Sequence, residues 1–402
     1  MMRSVEEHQR VVAGLIAARP AVTAELADAE GRVLSDDVTA TVSLPVFDNS
    51  AMDGYAVRAD EVASATTGNP VKLPVAEDIP AGRIDIPRLE PGTAHRIMTG
   101  APIPAGATAV VPVEATDART DVVTINVPSA EGRHIRRAGE DVAAGTTVLR
   151  AGQVVTPAVV GLAAALGLHQ LPVIPPQRVL VISTGSELVS PGTPLRPGQI
   201  YESNSVMLAA ALRETCAEVV AVATVSDDVA QFTAVLDRYA AESDLIITSG
   251  GVSAGAYEVV KDSFGRAGDQ GVEFVKVAMQ PGMPQGTGRV AGTPIVTLPG
   301  NPVSALVCFE VFIRPALRSA MGLPAPERPR RSAVLTETLT SSAGKRQFRR
   351  GIFDASAGTA VSHGPPGSHH VRFLASANCL LDIPAEVTEL PAGSQVQIWD
   401  LS

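Results

Sequence analysis
Three cysteines in 402 residues, Cys216, Cys308 and Cys379, stand far apart and without metal-ligand spacing. They are expected to be buried free thiols in a reducing compartment. Basic charge is also short: the net charge of -10 argues against a general grip on nucleic acid, which needs clustered Lys and Arg. Small basic patches still suit an anionic small molecule. No apolar run is long enough to cross a bilayer, since the most apolar stretch, Val154 to Leu168, is short and broken by Pro157. No charged-then-apolar leader pattern opens the chain, and no long segment reads as disordered. These absences lead to the expectation of a soluble, cytoplasmic protein of about two to four domains, with no nucleic-acid and no membrane partner.

What is present is organised around residues 244–263. Asp244 to Thr248 is an apolar, β-branched run of strand length. It opens into SGGVSAG (249–255), with a helix-like stretch from Ala256 to Phe264 behind it. A buried strand, a Gly/Ser loop and a helix can hold an anionic group, because glycine lets the backbone approach and successive N–H groups converge. The same residues also suit a tight turn that holds no ligand.

Taken in order, Ser4 and Glu7 fit a capping box for a first helix, and Thr23 to Asp28 reads as a second. A strand-like Val33 to Val42 leads into the acceptor-rich loop 45–60. Short β segments VKLPVAEDI, AHRIMTG, TAVVPVE and DVVTINV follow between Pro and Gly turns, which predicts a small β domain inserted between helical pieces. Thr156 and Pro157 then start a helix as N-cap and first residue, expected to pack with the first helices. LPVIPP (171–176) reads as a linker. From Arg178, strands alternate with helices, which implies a parallel sheet covered on both faces. A helix over 303–321 and the Pro-rich 322–330 end this part, and 331–402 reads as a small β-barrel or sandwich. The expected domains are 1–43 and 136–172 (one split helical domain), 44–135, 173–322 and 323–402.

In an open α/β sheet, ligands sit beyond the carboxyl ends of the strands. Four loops are expected to converge there: STGSEL (183–188), SDD (226–228), SGGVSAG and LPGNPVSA (298–305). They bring Thr184, Gly185 and Glu187; Asp227 and Asp228; Ser249, Gly250, Gly251, Ser253 and Gly255; and Pro299, Gly300, Asn301 and Ser304. Carboxylates beside an anion site suit a divalent cation between them, and Mg²⁺ takes one or two carboxylates plus phosphate oxygens. Each carboxylate also has a plainer reading, Asp227 and Asp228 as a strand-end turn with helix capping and Glu187 as a first-turn helix residue. Asp53 can be an Asp-Gly turn and Thr99 a turn hydroxyl. The basic runs Arg133, Arg136, Arg137 and Lys345, Arg346, Arg349, Arg350 read as solvated faces, and His363, His369 and His370 give no metal site.

The strings FDNSAMDGYAVR (47–58), MTGAPIPAGATAVV (98–111), RRAGEDV (136–142), ISTGSELV (182–189), YESNSVMLAAAL (201–212), ITSGGVSAGAYEVVKD (247–262) and TLPGNPVSALVCFEVFIRP (297–315) occur in this order. Together they resemble the molybdopterin molybdenumtransferase family, the MoeA and gephyrin E-domain group. The resemblance implies an elongated four-domain subunit: a doubly wound α/β sheet domain of molybdopterin-binding type, an inserted small β domain, a split helical domain and a C-terminal β-barrel. It implies a homodimer with a shared active site that inserts molybdate into the dithiolene of adenylated molybdopterin, with Mg²⁺, releasing AMP and molybdenum cofactor. A molybdopterin adenylyltransferase is the expected supplier of that substrate. Asp53, Thr99, Asp141, Glu187 and Asp228 match family catalytic positions, Glu187 and Asp228 as the metal pair. Lys276 joins the Gly-loop residues as a substrate contact. The chain departs from the family at Ser186, where Asp is common, at Ala256 followed by Glu258, and at Gln280 and Met283, where lysines are frequent. A cofactor-binding carrier and a molybdopterin adenylyltransferase are the competing readings.

Overall fold
A strand that is apolar throughout needs cover on both faces, whereas an alternating one needs it on one. That difference separates the sheets of this protein. The computed structural model describes residues 2–251 and 271–402. Ser253, Gly255, Ala256, Glu258 and the helix read over 256–264 lie outside the described residues. Met1–Thr23, Gly31–Ser35 and Pro172–Ser402 pack as one unit, and Ala24–Glu30 with Asp36–Leu171 as a second.

Helix α1 (Val5–Leu15) begins where expected, with Ser4 Oγ accepting the Glu7 N–H at 3.0 Å. It packs within the first unit, where Gln9 donates to Val311 O at 3.1 Å and His8 meets Phe312 edge-on at 4.8 Å between ring centroids. The second expected helix is shorter than its sequence suggests. The β-branched Val22 and Thr23 start an extended segment, Val22–Glu25, and only Leu26–Ala29 is helical.

In the second unit, β1 (Gly54–Val57), β2 (Val71–Ile79), β3 (Ala94–Ile97), β4 (Ala109–Pro112) and β5 (Val122–Ile125) form a sheet in the order β4-β1-β3-β2-β5. Four of these match the expected β segments. β1 was hidden inside the apparent loop 45–60. Tyr55 and Val57 enter one core and Ala56 the opposite one, so the run lacks the alternation that marks a half-buried strand. Helix α2 (Pro157–Ala165) has the expected Thr156 cap on Val159 N–H at 3.3 Å. It packs on Leu26–Ala29; α1, expected beside it, belongs to the other unit.

LPVIPP is no bare linker. Gln170–Ile174 is a strand, and Val173 and Ile174 pair with Leu34 and Val33. Its alternating burial, with Leu171 and Val173 inward, outweighs the punctuation of its prolines.

The α/β sheet follows: β6 (Arg178–Thr184), α3 (Asn204–Glu214), β7 (Glu218–Val225), α4 (Val229–Tyr239), β8 (Leu245–Ser249), β9 (Glu273–Lys276), β10 (Met279–Gln280), β11 (Pro284–Val290) and β12 (Thr293–Leu298). The sheet order is β7-β6-β8-β12-β11-β9, with β7, β6, β8 and β12 mutually parallel and β11 antiparallel to both its neighbours, β12 and β9. The register aligns the strand ends: Thr184 stands opposite Val225, Ser183 opposite Ser249, and Ser249 opposite Leu298. Chain order reverses between β6 and β8, and such a switch point opens a crevice at the carboxyl ends. Leu180, Ile182, Phe232, Leu236, Ile246 and Ile295 fill the core beneath.

The helix expected over 303–321 comprises α5 (Pro302–Cys308), a π-type turn at Phe309–Ile313 and α6 (Arg314–Ala320). Finally β13 (Arg330–Leu335), β14 (Arg346–Asp354), β15 (Thr359–Ser362), β16 (Cys379–Ile383) and β17 (Gln395–Asp400) close a five-stranded barrel, because β14 pairs with both β15 and β16. β10 adds to it alongside β14. Cys308 and Cys379 are buried thiols as expected, whereas Cys216 is exposed in the turn that ends α3. Among the described residues, no helix is long and apolar enough to cross a membrane.

Candidate active site
The aligned ends of β6, β7, β8 and β12 open into a cleft of about 880 Å³. The β8 loop supplies Ser249, Gly250 and Gly251 to its wall, and the β12 loop supplies Pro299, Gly300, Asn301 and the buried Ser304. Gly250 and Gly251 have φ of +96° and +67°, a region that side chains with a Cβ rarely adopt. The requirement at Gly250 is also steric: a Cβ there would stand 2.5 Å from Thr184 O, while its N–H donates to Leu298 O at 3.1 Å. Three strand ends are thereby stitched together, and the turn can present backbone donors to an anion.

Thr184, Gly185 and Glu187 line the same cleft from β6. A Cβ on Gly185 would lie 2.7 Å from Glu187 Oε2, so this carboxylate folds over the glycine. Of the Asp pair after β7, Asp227 lines the cleft and Asp228 does not. Asp228 caps α4, its Oδ1 accepting the N–H groups of Ala230 and Gln231 at 2.8 and 3.1 Å. Asp227 Oδ2 accepts the N–H and hydroxyl of Ser186 at 3.1 and 3.0 Å. Lys276, expected as a substrate contact, is exposed on edge strand β9 and is not among the residues lining the cleft.

Several cleft residues carry no signal that sequence reasoning used. Glu202 is buried, accepting from Ser183 Oγ at 2.7 Å, Ser205 N–H at 2.8 Å and Ser205 Oγ at 2.5 Å. Asn204 donates from Nδ2 to Ser249 Oγ and Gly300 O, both at 2.7 Å. Its buried Oδ1 has no donor among the described residues. The motif YESNS was visible, but nothing in its spacing shows that Asn204 bridges the two anion-friendly turns.

The barrel contributes Lys345, Ser368 and His369 to the wall. Its basic run is therefore not a solvated face. Arg346 is clamped by Asp382 at 2.7 and 2.6 Å and by Glu6 at 2.6 Å. The buried Arg350 donates to the carbonyls of His370 and Pro365. Arg137, in the other basic run, is exposed but paired with Asp48 at 2.6 Å.

In the second unit, Asp53 and Thr99 meet. Asp53 Oδ1 accepts both the N–H and the hydroxyl of Thr99 at 2.7 Å, and these bonds, the backbone one foremost, hold the Asp53 carboxyl below its ordinary range. Asp141 is exposed in that unit, its N–H donating to Leu44 O at 3.0 Å.

Among the described residues, no group of three or more His, Cys, Asp or Glu is placed to hold a metal ion. Glu187 and Asp227 on one cleft instead make the sparse carboxylate set that suits Mg²⁺, which keeps water and phosphate oxygens as further ligands. The residues present fit that ion.

Residues 3–167 match the MoeA N-terminal region (domains I and II), 180–319 a "Probable molybdopterin binding domain", and 332–401 the MoeA C-terminal region (domain IV). Molybdopterin molybdenumtransferase 2 of Mycobacterium tuberculosis is 72% identical over 405 residues, covering 100% of both chains. Molybdopterin molybdenumtransferase of Haemophilus influenzae is 35% identical over 378 residues, covering 93% of this chain and 92% of its own. The crystal structure of a molybdopterin biosynthesis MoeA protein from Pyrococcus horikosii matches with a TM-score of 0.81 at 28% identity, over 100% of both chains. With its three regions in family order and full-length relatives of this kind, the chain belongs to the MoeA family of molybdenum cofactor biosynthesis proteins.

Proposed function
We propose that the protein inserts molybdate into the dithiolene of adenylated molybdopterin, releasing AMP and the molybdenum cofactor. The observation that carries this reading is the cleft itself: two glycine turns that can cradle phosphate face carboxylates able to hold a cation. The 249–251 and 299–301 backbones would bind the phosphates. Asn204 Oδ1, a buried acceptor without a donor among the described residues, would take an N–H or O–H of the bound substrate, since leaving it unpaired is costly. Glu187 and Asp227 would hold Mg²⁺, which supplies charge neutralisation and orientation of phosphate oxygens. In this proposal Asp227 takes the part expected of Asp228, because Asp227 lines the cleft and Asp228 does not.

The same reading includes a cytoplasmic homodimer with a shared site, fed by a molybdopterin adenylyltransferase. The names of the full-length relatives support the transferase part of the reading alone. The test is AMP release from adenylated molybdopterin with and without molybdate. Release that requires molybdate is expected. Molybdate-independent binding without release would make the chain a carrier, and formation of the adenylate from ATP would make it an adenylyltransferase.

A further inference from the structure
One wall of the cleft is the turn from Met279 to Pro284, all of whose residues line it. Behind that turn, and not among the lining residues, lies Gln285 at the start of β11, 1% exposed. Its Nε2 donates to Gly282 O at 2.9 Å and to Cys308 Sγ at 3.2 Å, and its Oε1 meets His8 Nε2 at 3.1 Å. We propose that His8 and Gln285 are positioning residues for this wall: a one-way chain of donors, from Arg3 to His8 to Gln285 to Gly282 O, holds the turn in the shape that binds substrate. This inference rests on the reading of the cleft as the substrate site.

The direction of the chain follows from its first member. A guanidinium has donors only, so His8 Nδ1, 3.5 Å from Arg3 Nη1, is the acceptor and Nε2 carries the hydrogen. That hydrogen goes to Gln285 Oε1, which turns the amide so that its Nε2 faces Gly282 O and Cys308 Sγ. Arg3 is itself fixed by Glu273 at 2.8 Å. Its backbone also clamps the chain just before the turn, its N–H donating to Lys276 O at 2.9 Å and its carbonyl accepting the Ala278 N–H at 2.8 Å. The turn has little slack: Gly282 is buried at φ of +102°, and a Cβ there would collide with Cys308 Sγ. A buried carbonyl that loses its donor carries an uncompensated desolvation cost, so breaking the chain at His8 or Gln285 favours a shifted wall.

The test compares the full chain with His8→Phe, Gln285→Met and His8→Gln, by hydrogen–deuterium exchange and by calorimetric titration of AMP and of sodium molybdate separately. His8→Phe keeps a ring without a donor, Gln285→Met keeps the length without the amide, and His8→Gln can set an amide N–H where Nε2 stands. In His8→Phe and Gln285→Met, exchange over the turn should rise about fivefold and affinity for at least one probe should fall about fivefold, as loss of a buried hydrogen bond does. Peptides from Asp36–Leu171, in the other unit, should exchange as in the wild type. His8→Gln should restore both readouts to within about twofold of wild type. A purely structural role lowers the thermal midpoint but leaves the affinity of the folded chain unchanged. Unchanged exchange over the turn, a rise spread evenly over the chain, unchanged affinity for both probes, a His8→Gln as impaired as His8→Phe, or a wild type that binds neither probe overturns the proposal. Molybdate-dependent AMP release is scored separately. Its absence in a wild type that binds the probes overturns the functional reading, while exchange and calorimetry still decide the relay.

Discussion

Ser186 and Asp227 hold each other from two adjacent strand ends. Asp227 Oδ2 accepts the Ser186 N–H and hydroxyl at 3.1 and 3.0 Å, and Ser186 Oγ in turn accepts the Asp227 N–H at 3.0 Å. The clasp orients one carboxylate of a neighbouring pair toward the cleft, while Asp228 turns to its helix. An Asp at 186 would instead place two carboxylates in contact, and like charges at that distance disfavour joint ionisation.

This division of labour makes the first prediction. Asp227→Asn keeps shape but removes the charge, so molybdate-dependent AMP release should fall at least tenfold at limiting Mg²⁺ and recover partly as Mg²⁺ is raised. Asp228→Asn keeps the cap and should stay within about threefold of wild type, whereas Asp228→Ala should cost about 1 kcal/mol of stability. A magnesium titration of the three variants checks this. Collapse in Asp228→Asn with near-normal Asp227→Asn would return the metal role to Asp228.

Gly250 makes the second. Alanine there would face Thr184 O at 2.5 Å from a backbone with φ of +96°. Strain of this kind costs about 1–3 kcal/mol. Gly250→Ala should lower the thermal midpoint and weaken AMP binding together, as read by calorimetry and thermal melts. Gly198→Ala, at another positive-φ glycine with open space around it, should leave AMP binding unchanged.

A third concerns pH. His8 is buried between α1 and β11, with Nε2 hydrogen-bonded to Gln285 Oε1 at 3.1 Å. Burial, foremost, and the charge of Arg3 lower its pKa from 6.5 to about 4. The unfolded chain therefore binds a proton in this window that the folded chain refuses. Stability from a neutral His8 is complete above about 6.5 and is lost as pH falls toward about 4. The full loss is on the order of 3 kcal/mol. Urea melts of wild type and His8→Gln should differ in slope between these two pH values and run parallel above them. Equal slopes would remove His8 from the acid response.

The fourth tests the shared site. Asp53→Ala and Asp227→Ala, each inactive alone, are mixed under conditions of subunit exchange. In a two-fold dimer whose sites draw on both chains, a mixed dimer carries one doubly damaged and one intact site. With about half the dimers mixed, roughly a quarter of wild-type activity should return. Exchange proven by mass spectrometry, with no recovered activity, would confine each site to one chain.

Local pattern made much of this protein legible. The apolar runs at 178–184, 245–249 and 293–298 are strands because their residues are buried on both faces, and Gly250 and Gly251 after the second mark a positive-φ turn that favours glycine. Those are properties of a few consecutive residues, so the sequence alone determined the parallel sheet, the cleft-forming loops, the inserted β segments and the family. Tertiary structure alone decided which of two adjacent aspartates faces the cleft, since one carboxylate found the N–H groups of α4 and the other found Ser186. It likewise revealed β1 inside an apparent loop, set Lys276 on an outer edge, and brought Lys345 and His369 from the barrel to the cleft at the strand ends. Such placements follow from pairings like β10 with β14, whose partners are distant in the chain and whose register no local periodicity encodes.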